Sequence, residues 1–328
     1  MKVHRARRRA GSSPCALTIG NFDGVHRGHQ AMLALLVNEA RHRRLPSCVV
    51  TFEPNPRDFF AARTGQTHLA PARIAGLRDK LAELERCGVD EVVLLRFDER
   101  LAAMSPEAFI DDVLVRDLQV GYLLVGDDFR FGSRRAGDYA MLDAAGPRLG
   151  FDVARMMSYE VHGLRVSSSA VRQALAEGDM DRAAALLGRA YRLSGHVVHG
   201  RKLGRELGQR APGTNDGFRT LNLRVNHPRP AAMGIFVVAV HGLSEEPLPA
   251  VASLGVRPTV EDAGRVLLEV HCLSWPLDTE GGYGRIVGVD LLHKLHDELR
   301  YDSLQALEAG IARDVEAARA WWAVRRSR

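Results

Sequence analysis

Four cysteines in 328 residues, Cys15, Cys48, Cys87 and Cys272, form no C-x-x-C pair. Their scatter excludes a zinc ribbon and a disulfide framework, and it fits a reducing compartment, so a cytoplasmic protein is expected. No apolar run is long enough to span a bilayer. The longest candidates, residues 123–125 and 235–238, are strand-sized, and no membrane partner is expected. Aromatic residues make up only 6%, and the basic residues behind a net charge of +5 are spread along the chain. A nucleic-acid partner is therefore not expected, because anionic small substrates account for the charge equally well. No acidic residue precedes Asp23, and the arginine-rich leader over residues 2–9 has the composition of a transit peptide. The first core strand begins at Ala16, however, which leaves little to remove. A secretory signal is excluded because no apolar segment follows the basic residues.

The chain exceeds what one core usually holds, and with 46% hydrophobic and 26% charged residues it has the composition of a soluble globular protein of two domains. Up to about residue 186, short apolar runs at residues 16–19, 47–52, 92–95 and 121–126 alternate with helical patterns. One such helix, over residues 74–87, carries Ile74, Leu77, Leu81 and Leu84 on one face and ends at Gly88; another spans 106–115. Repeated βα units predict a parallel sheet with ligands at the carboxyl ends of its strands. Asn21, Asp23, Glu53, Asp127 and Asp128 all fall there. Beyond Ala190 the pattern becomes strand-like, with runs at 194–199, 220–223, 234–240, 266–272 and 286–289 between glycine- and proline-rich turns. This predicts an antiparallel barrel. A closing helix over 303–322 carries Leu304, Leu307, Ile311, Val315 and Trp322 as a core-facing stripe, with Asp302 and Gln305 as its cap. The expected domains are 1–186 and 187–328.

The most informative stretch is residues 15–30. A buried strand stops at Gly20 and Gly24, which let the backbone pass close to a ligand, and the helix entered near Arg27 offers unpaired N–H groups to phosphate. Neither a glycine-rich dinucleotide spacing nor a Walker lysine follows. Two histidines three apart are compatible with an accident of the helix start or with half a metal site. The glycines, Asn21 and Asp23 beside them favour a phosphate site. His26-Arg27-Gly28-His29 resembles the HxGH element of nucleotidylyltransferases, whose imidazoles stabilise the charge that develops as pyrophosphate leaves. The other pair at this spacing, His293 and His296, lacks the glycines and reads as surface or packing histidines.

Residues 51–57 (TFEPNPR), 125–132 (VGDDFRFG) and 166–172 (VSSSAVR) follow in order. With the opening motif they resemble the adenylyltransferase half of the bifunctional riboflavin kinase/FAD synthetase (FMN adenylyltransferase) family. The resemblance implies an α/β fold: an N-terminal Rossmann-like nucleotidylyltransferase domain with a parallel sheet, then a C-terminal antiparallel β-barrel riboflavin kinase domain with a closing helix. It assigns catalysis to His26, His29 and Arg172. ATP and flavin contacts go to Gly20, Asn21, Phe22, Asp23 and Gly24 in the first loop, to Asn55, to Asp128, Phe129 and Arg130, and to Ser167, Ser168 and Ser169. A serine-rich helix start suits phosphate, although it is also an ordinary N-cap, and Phe129 or Phe131 also reads as core. The family usually has histidine where this chain has Asn55, which forms hydrogen bonds but carries no charge.

The barrel half resembles riboflavin kinase through residues 194–200, 218–223, 252–259, 268–271 and 283–284. By that resemblance Thr220 and Asn222 hold Mg2+ and ATP phosphates, and Glu269 is the base acting on the ribityl hydroxyl. Apolar Val266, Leu268 and Val270 put Glu269 on the opposite strand face, where plain solvent exposure is the alternative. Residues 195–202 nearly match a P-loop but lack its Gly-Lys-Ser/Thr ending, and that reading is rejected. Gly200, Lys202 and Gly204 instead belong to a basic flap over nucleotide phosphates, and Arg219 meets one of them. One departure stands out. The family's continuous Leu-Gly-Phe-Pro-Thr-x-Asn run is interrupted by residues 209–217, and Arg219 replaces its proline. The implied function is phosphorylation of riboflavin to FMN and adenylylation of FMN to FAD, with ATP as co-substrate and Mg2+ in both steps. The kinase is expected to be weakened. The alternatives are an FAD synthetase with an impaired kinase domain, a nucleotidylyltransferase for another metabolite, or a flavin-binding regulator with decayed catalysis.

Overall fold

The computed structural model describes residues 1–5, 8, 13–157, 159–161, 164–198, 220–225, 229–256, 266–275 and 282–326. The chain divides into two compact units, Met1–Pro71 with Lys80–Ser167, and Ala72–Asp79 with Ser168–Arg328.

The first unit is built on β1 (Lys2–Arg5), β2 (Cys15–Ile19), α1 (Arg27–Arg43), β3 (Ser47–Glu53), α2 (Pro56–Arg63), α3 (Leu77–Arg86, whose first turn belongs to the second unit) and β4 (Glu91–Arg96). Short α4 (Glu99–Ala103) and α5 (Pro106–Ala108) follow, then β5 (Val120–Gly126), α6 (Tyr139–Leu149), β6 (Asp152–Met156) and the pair β7 (Glu160–Val161) and β8 (Leu164–Arg165). The sheet runs β1-β4-β3-β2-β5-β6, all parallel. Strands covered on both faces must be apolar throughout, and β2 is buried along its whole length. Successive connections run outward from β2 to β3 and β4, then reverse to β5 and β6. The crevice for a ligand therefore opens at the carboxyl ends of β2 and β5.

Within the basic N-terminal stretch, Lys2–Arg5 is an edge strand in register with β4, and charged residues are what such an edge tolerates. Arg8, 4% exposed, bonds Glu91 Oε2 at 2.7 Å, the Ser13 carbonyl at 2.7 Å and the Leu118 carbonyl at 3.1 Å. The helix predicted over 106–115 is α-helical only in α5; from Phe109 to Asp117 it widens to a π-helix that buries Phe109, Ile110, Val113 and Leu114. Gly88, at φ +80°, follows α3 as expected.

The second unit opens with α7 (Ser168–Glu177) and α8 (Met180–Leu187). Then come β9 (Tyr191–Val198), β10 (Thr220–Arg224), β11 (Gly234–His241), β12 (Leu248–Val256), β13 (Val266–Cys272), β14 (Ile286–His296) and α9 (Leu304–Arg326). The strands close an antiparallel barrel in the order β10-β13-β12-β11-β14-β9. Strand β12, opened by Leu248-Pro249, was absent from the predicted strands. On α9, Ile311, Val315 and Trp322 pack against Val237 and Val251 as the stripe predicts, whereas Leu304 is exposed. The cap is Ser303, whose Oγ accepts from the Ala306 N–H at 3.1 Å, and not Asp302 with Gln305. His293 stacks on Trp321 and His296 bonds Asp314, so that pair serves packing. All four cysteines are free. Among the described residues no helix is long and apolar enough to cross a membrane.

Candidate active sites

The loop from β2 to α1 is held in an uncommon conformation. Phe22, Gly24 and Val25 have φ of 46°, 81° and 40°, and for a β-branched valine that value is a true outlier. Burial makes it tolerable, since Phe22 and Val25 are 1% and 0% exposed. The turn delivers His26 in an extended conformation as the N-cap of α1, where its Nδ1 accepts the His29 N–H at 3.3 Å. An accepting Nδ1 carries no hydrogen, so a neutral His26 presents its N–H at Nε2. The two imidazoles stack at 3.7 Å and 16°, with the Phe22 ring 5.0 Å from His29. Burial, reinforced by neighbouring His26 and Lys80, pushes the His29 pKa well below the ordinary histidine value. The pair thus offers ring N–H donors at the sheet's crevice, with His29 held neutral.

Two other segments of the first unit, at Val166 and at Thr51, approach this loop. A side chain on Gly28 would lie 3.3 Å from both His26 Nδ1 and the Val166 carbonyl, so the backbone leading to Ser167 runs against the start of α1. Asn21 is exposed and its carbonyl accepts from Thr51 Oγ1 at 3.3 Å, while Asp23 is buried. Asn55, 5% exposed, caps α2 by accepting the Arg57 N–H at 2.9 Å. After β5, Asp128 and Asp127 pair with Arg165 at 3.3 and 3.9 Å. Arg130 bonds Asp138 at 3.1 Å, and Phe129 stacks on the core residue Phe131 at 5.7 Å. Sequence reasoning missed Lys80. Its side chain is buried at 1% exposure, with Nζ 3.4 Å from Thr51 Oγ1. The signal was present as a lysine inside the Leu77-Leu81-Leu84 stripe.

In the second unit Ser168 and Ser169 open α7, and Arg172 Nε donates to the Ala72 carbonyl at 2.7 Å. In the barrel wall Leu221 and Leu223 are buried on one face of β10 and Thr220 and Asn222 lie on the other. Asn222 sits directly opposite Glu269, Thr220 opposite His271, and Ser253 on the far side of Glu269. Glu269 is half-buried and on the opposite face from Val266, Leu268 and Val270, as the alternation requires. Asn222 Oδ1 is buried and has no hydrogen-bond partner. Among the described residues no cluster of three His, Cys, Asp or Glu is placed to hold a metal. Gly200, Lys202, Gly204, Arg219 and the insertion 209–217 lie outside the described residues.

The family model for FAD synthetase matches residues 9–170, and that for riboflavin kinase matches 187–322. The bifunctional riboflavin kinase/FMN adenylyltransferase of Escherichia coli (strain K12) is 47% identical over 305 residues, 93% of this chain and 92% of the relative. The chain belongs to this bifunctional family. The counterparts from Pseudomonas fluorescens and Haemophilus influenzae are 46% and 41% identical, covering 93% and 94% of the chain and 92% and 94% of their own lengths. A crystal structure from Streptococcus pneumoniae, described as a macrolide-efflux protein, superposes with a TM-score of 0.76 at 26% identity, covering 98% of this chain and all of that one. As a riboflavin kinase and FMN adenylyltransferase the chain makes FMN from riboflavin and FAD from FMN, with ATP and flavins as substrates. The expected recognition, α/β fold class and pair of activities hold.

Proposed function

We propose that the stacked His26–His29 pair carries adenylyl transfer and that the Asn222–Glu269 face of the barrel carries riboflavin phosphorylation, in functional domains 1–186 and 187–328. In the first reaction an FMN phosphate oxygen attacks the α-phosphorus of ATP, and the bond to pyrophosphate breaks without a covalent enzyme intermediate. His26 Nε2–H and a His29 N–H stabilise the charge on the departing oxygens, each worth about 3 kcal/mol if it acts mainly in the transition state. Gly20, Asn21, Phe22, Asp23 and Gly24 shape the nucleotide loop, with Phe22 acting from beneath His29. Ser167, Ser168, Ser169 and Arg172 add phosphate donors, and Asn55, Asp128, Phe129 and Arg130 border the flavin and adenine. In the second reaction Glu269 accepts the proton of the ribityl hydroxyl as its oxygen takes the γ-phosphoryl group and ADP leaves.

Hard oxygen donors suit Mg2+, and the orphaned Asn222 Oδ1 with the nearby Thr220 hydroxyl fits such an ion. When bound it screens the triphosphate charge. Gly200, Lys202, Gly204 and Arg219 are assigned to the phosphates of the kinase nucleotide. The protein is taken as cytoplasmic, with neither nucleic acid nor membrane as partner. The observation that carries the reading is the pair of stacked imidazoles at the carboxyl end of β2. A crossed test uses the full chain with ATP and magnesium, supplying riboflavin for the kinase assay and FMN for the adenylylation assay. His29→Ala should lower kcat for FAD formation about 100-fold and leave FMN formation intact, and Glu269→Gln should do the reverse. Wild-type FAD turnover in His29→Ala, or wild-type FMN formation in Glu269→Gln, would remove that residue from the mechanism.

A further inference from the structure

A lysine at 1% exposure is rare in a protein interior, because an ammonium loses its hydration there. On α3 it stands one turn before the buried Leu84, a place where a leucine would pack without that cost. The hydrogen bonds around it have a forced direction. Lys80 Nζ only donates, so the Thr51 hydroxyl accepts from it at 3.4 Å and turns its own hydrogen to the Asn21 carbonyl at 3.3 Å. Asn21 precedes Phe22, whose left-handed backbone directs its ring onto His29. A buried cation is thus connected, through one hydroxyl and one carbonyl, to the turn that aims the histidine pair.

We infer that Lys80 is a positioning residue for FAD formation: its ammonium fixes the β2–α1 loop through Thr51 and keeps a positive charge beside His29. The inference rests on the assignment of His26 and His29 to adenylyl transfer. The titratable groups that act on His29 are His26, at the start of the same helix, and Lys80, on α3. The Lys80 charge disfavours a second proton on the ring and so keeps it a neutral donor. Thr51, fully buried, transmits the hold on the loop without adding charge.

The test uses the full-length protein in three variants, Lys80→Met, Lys80→Arg and Thr51→Val. The readouts are FAD and FMN formation and the titration of the His29 ring followed by NMR. Lys80→Met should lower kcat for FAD formation at least about 10-fold, with KM for FMN within about threefold and FMN formation unchanged. The His29 midpoint should move up toward the ordinary value. Lys80→Arg should keep both kcat and the midpoint close to wild type. Thr51→Val should lower kcat for FAD formation while leaving the His29 midpoint in place. Wild-type kcat in Lys80→Met overturns the inference, as does a loss shared equally by FMN formation, which marks a structural role. Should Lys80→Met not fold, wild-type FAD turnover in Thr51→Val overturns it. His29→Ala separates the two levels. Full activity in that variant sinks the histidine assignment, whereas its inactivity beside unaffected Lys80→Met and Thr51→Val sinks only the role given to Lys80.

Discussion

Gly28→Ala sets two effects of known size against each other. Glycine in a helix costs up to about 1 kcal/mol relative to alanine, so on propensity alone the replacement would stabilise α1. The structure opposes that gain. The new methyl carbon would stand 3.3 Å from the Val166 carbonyl, which cannot rotate away, and 3.3 and 3.4 Å from Nδ1 and Cε1 of His26. Either the helix start lifts from Val166 or the His26 ring yields by a few tenths of an ångström. The His29 N–H to His26 Nδ1 bond is already long at 3.3 Å and would lengthen further. The two contributions should nearly cancel in stability, leaving the unfolding free energy within about 1 kcal/mol of wild type. Catalysis has no such compensation. A shift of this size in a donor should lower kcat for FAD formation about 10-fold, or roughly 1.4 kcal/mol of barrier. Chemical denaturation gives the first quantity and separation of FMN from FAD after timed incubation gives the second, with FMN formation as the internal control. A stabilised protein with unchanged FAD turnover would refute the reasoning, because the glycine would then be only a weak point in a helix.

Three further outcomes are expected. Arg8→Met leaves Glu91 and the carbonyls of Ser13 and Leu118 without their guanidinium partner, and should cost about 3 kcal/mol in denaturant unfolding; a loss below about 1 kcal/mol would mean that water replaces the arginine freely. Two histidines should show opposite pH dependence in comparisons of His29→Asn and His296→Asn with wild type between about pH 5.5 and 8.5. Folded His29 titrates below its unfolded value of 6.5, so its contribution to stability is complete above that value and is lost as the pH falls. For His296, burial is outweighed by bonds to Asp314 and the Asp297 carbonyl, and the pKa is raised from 6.5. Its contribution is full below the unfolded value and disappears as the pH rises through the folded one, so equal deficits at both pH values would contradict the assignment. Finally, deleting residues 209–217 together with Arg219→Pro should raise riboflavin phosphorylation and leave FMN adenylylation unchanged, because proline fixes φ just before Thr220, the residue proposed to hold the metal. An unchanged kinase rate would make the insertion neutral.

Much of the site was legible because its chemistry is local in sequence. The entry of His26 and His29 into α1 needs only Gly20, Gly24 and a helix start within ten residues, and the strand alternation around Glu269 already separates it from Val266, Leu268 and Val270. What escaped depends on groups far apart in the chain. Lys2–Arg5 looks like a charged leader because nothing nearby shows that β4, almost ninety residues later, supplies its partner. The left-handed Val25 is unexpected because valine disfavours that backbone, and burial of Phe22 and Val25 holds it there.

By itself the sequence determined most of the order of elements, the two architectures and the family, and it singled out the residues proposed to handle phosphate. These follow from periodicity and from short-range turn and helix-start chemistry, which are properties of neighbouring residues. Tertiary structure alone decided that Lys80 is linked through Thr51 to the β2–α1 loop, that Asn55 is spent as a helix cap, and that Asn222 and Glu269 face one another across β10 and β13. Burial and strand register arise from contacts between distant segments, and it is burial that turns a lysine or a histidine of ordinary composition into one with a particular charge and direction.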